Sequence, residues 1–227
     1  MPHYHKLGKF PAKRHVQFRK DGGGLYAEQL VSTEGFSDLY SLTYHVYPPT
    51  MVSAIGEARS VAPEIVLEKN TQHRSFQGFQ IAPAEDYIDS RVIVLANQDV
   101  YISLAAPRRS MTDHFFRNAS ANEVIFVHLG SGKLISMYGV LPFREGDHLV
   151  IPKGITYQLH FDFEDNRLFI VEAFGYVRFP RRYVNRAGQL LEHAPFYERD
   201  IRKPLELVTH DEKGDFPVHI KKDEDRR

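Results

Sequence analysis

The sequence predicts a mainly all-β protein, built as an antiparallel sandwich or small barrel. The stretch Asn122 to Phe161 carries the prediction. Val124, Phe126 and His128 alternate there with Ile125, Val127 and Leu129. Gly130-Ser131-Gly132, Arg144-Glu145-Gly146-Asp147 and Pro152-Lys153-Gly154 then cut the stretch into short runs rich in β-branched and aromatic residues. Alternation with period two, punctuated by Gly and Pro, is the pattern of short strands joined by tight turns. Four such strands in so short a span suit a closed antiparallel fold.

The flanking segments fit the same class. Ser41 to Tyr47 reads as a strand ended by Pro48-Pro49, because proline fixes φ and removes a backbone donor. Residues 55–70 are mixed and polar. Arg74 to Ile81 reads as a further strand with Phe76 and Phe79 packing. Arg91 to Ala96 and Val100 to Ala105 form a strand pair around Asn97-Gln98-Asp99, and Arg167 to Phe174 is a strongly apolar strand. Residues 181–204 have no clean period and are expected to wrap over the barrel. Leu205 to His210 and Phe216 to Lys221 are expected to form a hairpin around Glu212 to Asp215, followed by a charged, solvated tail. The division that results is an extended N-terminal arm (1–36), a barrel domain (37–180) and a connecting segment with a terminal hairpin (181–227).

Two spacings narrow the class. Glu123 stands seven residues before Gly130, and Gly146 is followed by five residues and then Pro152-Lys153-Gly154. These resemble the two cupin motifs and imply a cupin-like double-stranded β-helix, or jelly-roll barrel, with extra strands. The ligand positions are a poorer match. A metal-binding cupin carries two His before the Glu and a third after the second glycine. Here the upstream places hold Phe116 and Asn118, or Arg117 and Ala119, and the downstream place holds Tyr157. The barrel is therefore expected to hold no metal.

Composition excludes several functions. Lys plus Arg and Asp plus Glu balance at 29 each in 227 residues, so nothing points to nucleic acid or an anionic membrane. Cysteine is absent, which removes disulfides, thiolate metal sites and a Cys nucleophile, and suits a cytoplasmic protein. No apolar run approaches the roughly 20 residues that span a bilayer, and MPHYHKLGKF lacks the apolar core of a signal peptide.

Several separate stretches resemble the homogentisate 1,2-dioxygenase family. They are MPHYHKLGKFPAKRHVQFRK, GGLYAEQLVSTEGF, SLTYHVYPPT, the central stretch, and GYVRFPRRYVNRAGQLLEHAPFYERDIRKP. The resemblance implies a parent enzyme of tyrosine and phenylalanine catabolism. With O2 and Fe(II), that enzyme opens the ring of homogentisate to give maleylacetoacetate. It also implies two linked cupin domains, a homo-oligomer, and iron held by two His and one Glu in the second domain. The sequence stops about where that second domain should begin, so no iron ligand carries over. The chain is then expected to be the non-catalytic N-terminal half, with no cofactor of its own. The rival readings are a free-standing metal-free cupin module for binding or assembly, and a small cupin enzyme using His114 and Glu123.

Three residues are candidates for a barrel-interior pocket. Strand parity places Glu123 with Ile125 and Val127, and Tyr157 with Leu159, on inward faces. A buried carboxylate needs a donor, and a phenol hydroxyl supplies one. The pair is either a satisfied plug or the floor of a surviving pocket. His114 shares the parity of Phe116 and Asn118, so a register shift would bring it toward Glu123. His128, His148 and His160 fall on outward parity or on turns. His193 is assigned to orienting the connecting segment, and His3 and His5 to the arm. Arg181, Arg182, Arg186, Arg199 and Arg202, interleaved with Glu192, Glu198 and Asp200, are expected to form an ion-pair network at a domain or subunit contact.

Overall fold

The computed structural model describes residues 17–66, 72–223 and 225–226. His3 and His5 lie outside them. A hairpin comes first, β1 (Ala27–Glu34) and β2 (Ser37–His45), turning through Gly35-Phe36 and standing as a sheet of its own. The boundary drawn at residue 36 thus falls inside one hairpin. β3 is the short Arg59–Ser60. The barrel follows as β4 (Val92–Ala96), β5 (Val100–Ala105), β6 (Phe115–Asn118), β7 (Asn122–Leu129), β8 (Gly132–Ser136), β9 (Gly139–Phe143), β10 (His148–Ile151), β11 (Thr156–Phe161) and β12 (Arg167–Ala173). The last strands are β13 (Val218–Lys222) and β14 (Asp225–Arg226).

Two sheets face each other. One has the order β10-β7-β12-β5-β4, the other β3-β14-β13-β6-β11-β8-β9. From β5 to β12 the chain crosses repeatedly between β5-β12-β7-β10 and β6-β11-β8-β9. That alternation is the jelly roll, and the extra strands extend one edge of each sheet. Tyr87, Met111, Phe116, Ile125, Val127, Leu159 and Ile170 fill the interior between the sheets.

Gly130 and Gly132, at the turn between β7 and β8, are needed for close approach. A Cβ on Gly132 would lie 1.9 Å from the His160 carbonyl oxygen, so no side chain fits where β8 meets β11. Gly130 has φ +113, and a Cβ there would meet Asn166 Oδ1 at 2.2 Å.

Two sequence expectations fail. Residues 72–77 are irregular and 78–80 form a 3-10 turn instead of a strand; Phe76 and Phe79 are both more than half exposed, with Phe79 resting its edge on His128. No hairpin joins residues 205–210 to 216–221. Residues 205–217 carry no strand, and β13 instead adds parallel to β6, with His219 opposite Phe116. Local alternation is the same for a hairpin strand and for one recruited from far along the chain.

Residues 174–204 are largely irregular apart from two short 3-10 turns, and they touch the barrel at several points: Phe174 against Tyr101, the Gly175 carbonyl accepting from Asn122 Nδ2, and Arg202 bonding Asp147 and the Pro142 carbonyl. Among the described residues, the arginines of the expected ion-pair network that pair with carboxylates are Arg202 with Asp147 and, loosely, Arg199 with Asp200. Arg182 and Arg199 lie over the Tyr183 and Tyr197 rings, and Arg199 pairs with Asp200 only at 3.9 Å. His193 is exposed. Among the described residues no helix is long and apolar enough to cross a membrane.

Candidate functional site: a buried charge network in the barrel

Inward parity on β7 and β12 places two carboxylates side by side. Glu123 lies directly opposite Glu172 in the β7–β12 register, and the two are 1% and 0% exposed. Two carboxylates in adjacent cross-strand positions repel unless cations stand between them. Arg91, at the entry to β4, supplies the bridge. Its Nη1 lies 2.8 Å from Glu123 Oε1 and its Nη2 3.1 Å from Glu172 Oε2, and its guanidinium sits over the Tyr87 ring. Lys221, brought in by β13, donates to Glu172 Oε1 at 2.6 Å, as does Asn118 Nδ2 from β6. Tyr157 on β11 donates to Glu123 Oε2 at 2.7 Å, and Tyr87 donates to Oε1 at 3.2 Å.

The four formal charges cancel, which is what allows them to stay out of water. Burial works to raise the Glu172 carboxyl, but Arg91 and Lys221 outweigh it and hold the group below the usual carboxylate range. Burial lowers Lys221, with Glu172 opposing. Burial opposes the Arg91 charge too, and Tyr87, Glu172 and Glu123 outweigh it, so the guanidinium stays protonated. Burial, reinforced by Glu123, pushes Tyr157 and Tyr87 well above the ordinary phenol range, so both remain neutral donors.

Iron does not fit this donor set. Both Glu123 oxygens are already engaged, Asn118 serves Glu172, and Phe116 and Tyr157 fill space that imidazoles would need; their rings meet edge to face at 5.7 Å between centroids. Among the described residues no group of three or more His, Asp or Glu is arranged to hold a metal ion.

The model of the family described as homogentisate 1,2-dioxygenase N-terminal matches residues 13–182. The chain belongs to that family. A protein of Saccharolobus solfataricus provisionally named as a dioxygenase is 35% identical over 221 residues, covering 97% of this chain and 56% of its own length. The chain thus spans about half the length of this curated relative. Among solved structures, a protein with a double-stranded β-helix domain from Klebsiella pneumoniae is 17% identical, with a TM-score of 0.39, over 46% of this chain and 92% of that one. A cupin-2 domain protein from Shewanella frigidimarina is 19% identical, with a TM-score of 0.34, over 40% and 83%. At these scores the jelly roll rests on the strand order itself.

In this member of the homogentisate 1,2-dioxygenase N-terminal family, Glu123 and Tyr157 meet in the barrel, but His114 does not join them. Its Nδ1 lies 2.8 Å from Asp113 and its Nε2 3.3 Å from Asp86, and its ring stands edge-on to His219. Arg91, Glu172, Lys221 and Asn118 were not singled out from the sequence as site residues. Glu172 had a signal: a lone carboxylate sharing the parity of Leu168 and Ile170 in an otherwise apolar strand. Lys221 had none, since its strand pairs with one about a hundred residues earlier.

Proposed function

We propose that this chain is the non-catalytic jelly-roll half of a homogentisate 1,2-dioxygenase-type enzyme, and that Fe(II) chemistry on homogentisate and O2 belongs to residues outside these 227. The observation that carries the reading is the buried network. It occupies the part of the barrel where a metal-binding cupin keeps its ligands, and it does so with a set of no net formal charge, tied by the Arg91–Glu123, Tyr157–Glu123 and Lys221–Glu172 hydrogen bonds and the Arg91–Glu172 ion pair. Such a network rigidifies the barrel and offers no open coordination position. The role left to the chain is to scaffold the catalytic half. The test is to mix the chain with a separately produced iron-binding half of a family member. Homogentisate-dependent O2 uptake from the mixture, and none from this chain alone, is expected. Ring cleavage by this chain alone, or failure of the two parts to associate, overturns the reading.

A second reading, a module that binds a small anion, is favoured by one feature. A cleft of about 330 Å³ opens between Tyr101, Phe174, Ser120, Lys153, Lys222 and Asp223, with two cations to its one carboxylate. Its test is calorimetric titration with small aromatic acids, with Lys153→Ala and Lys222→Ala as controls.

A further inference from the structure

Both sheets contribute to the cleft at one end of the barrel. Tyr101 stands near the start of β5 and Phe174 follows β12, on the five-stranded side, and their rings meet edge to face at 4.9 Å between centroids. Ser120 follows β6, Lys153 precedes β11 and Lys222 ends β13, on the seven-stranded side. β13 joins this cleft to the buried network. Its Lys221 donates to Glu172 at 2.6 Å and stands 5.3 Å from the centre of the Tyr101 ring, while the next residue, Lys222, lines the cleft. The turn after β13 is tied down by the Asp223 amide, which donates to Ser120 Oγ at 2.6 Å. The amide of Ala119, also on the cleft wall, donates to the Lys221 carbonyl at 2.8 Å. The rest of the support for β13 is slight: four residues paired parallel with β6, two paired with β14, and the His219 ring against His114. So short a parallel pairing belongs to the low-stability end of a fold.

We propose that the cleft takes a single-ring aromatic carboxylate, and that the bound acid staples β13 to the barrel. The proposal rests on the anion-binding reading above and adds the need for a ring and the consequence of binding. Size, walls and charge argue for this class. A cleft of about 330 Å³ is at the small end of ligand pockets, suited to one ring and its acid group. The Tyr101–Phe174 corner offers a π face and a ring edge to a third ring. Lys153 and Lys222 are exposed and, among the described residues, have no carboxylate partner. A carboxylate between them gains charge-assisted hydrogen bonds. Asp223 is exposed on the turn, and two cations against its one carboxylate leave the lining positive. An acid held there touches both sheets and β13 at once. Release of β13 takes Lys222 away and dismantles the site.

The experiment is amide hydrogen exchange of the 227-residue chain, alone and with benzoate, beside calorimetric titration with benzoate, acetate and benzyl alcohol. Benzoate is expected to bind. Acetate lacks the ring and benzyl alcohol lacks the charge, so each is expected to bind about tenfold more weakly or worse. Without ligand, the Ala119 amide is expected to exchange faster than the Val127 amide, which bonds the Asp147 carbonyl toward the other end of β7, because β13 opens on its own. Benzoate at about ten times its Kd is expected to slow Ala119 exchange about tenfold, the factor by which binding depletes the open form. Lys222→Ala is expected to weaken binding about tenfold, and at the same benzoate concentration to cut that slowing to about twofold. Benzoate binding with Ala119 exchange unchanged, or Ala119 exchanging no faster than Val127, overturns the staple and leaves the anion reading standing. Acetate binding as tightly as benzoate overturns the aromatic class. No binding of any of the three overturns the proposal and the anion reading together.

Discussion

Replacing Arg91 by Met tests the buried network at its centre. The substitution keeps much of the aliphatic bulk and removes the one cation that touches both carboxylates. Glu123 then keeps two neutral phenol donors, and Glu172 keeps Lys221 and Asn118. Two directly opposed carboxylates, at the roughly 5 Å spacing ordinary for cross-strand pairs, repel by about 3 kcal/mol at an effective dielectric of about 20. Breaking a buried pair by removing one partner costs about 3–5 kcal/mol by general experience, which agrees. For a domain of this size each kcal/mol lowers the melting temperature by about 2–4 °C, so a fall of about 6–20 °C is expected at neutral pH. The loss should shrink in mild acid, because one of the repelling carboxyls takes up a proton. Combining Arg91→Met with Glu123→Gln removes one cation and one anion together, and should recover more than half of the loss. Urea unfolding of the wild-type chain, both single variants (Arg91→Met and Glu123→Gln) and the double variant, at neutral pH and in mild acid, measures all of this. A loss below about 1 kcal/mol for Arg91→Met, the range of an exposed pair, would refute the reasoning.

Three further outcomes follow from the same geometry. Lys221→Met leaves Glu172 leaning on Arg91 and Asn118, so a loss of about 3 kcal/mol is expected. Hydrogen exchange should show it first at Phe115 and Ala119, whose amides bond β13 and the residue before it. Glu172 has a folded pKa below its ordinary value, so its contribution to stability is present above that ordinary value and is lost as pH falls through the folded one. Glu172→Gln should therefore flatten the acid limb of the stability profile, and a limb of unchanged slope would count against the assignment. Gly132→Ala forces a Cβ against the His160 carbonyl, which is backbone and cannot swing aside. Failure to fold, or a loss above about 3 kcal/mol, is expected by denaturation.

Local signals reached the barrel and stopped at its edges. Gly130, Gly132, Gly146 and Pro152 mark turns whose chemistry is local, and the alternation around them is bound to one buried face, so β7 to β11 could be read directly. Parity alone brought Glu123 and Tyr157 into one interior. What parity could not supply was the counter-charge. Arg91 opens an apolar strand and looks like an edge residue, and Lys221 arrives on a strand whose partner is β6, far back in the chain. Glu172 was readable, because a carboxylate on an inward face of an apolar strand predicts a buried partner. His114 went astray because Asp113 and Asp86 lie closer to it than any register shift would bring Glu123.

The most direct test of the account is an anaerobic Fe(II) titration of the purified chain, followed by O2 uptake with homogentisate. The network predicts no stoichiometric iron and no uptake until an iron-binding half is added. One bound iron per chain, with homogentisate-dependent uptake by the chain alone, would contradict it.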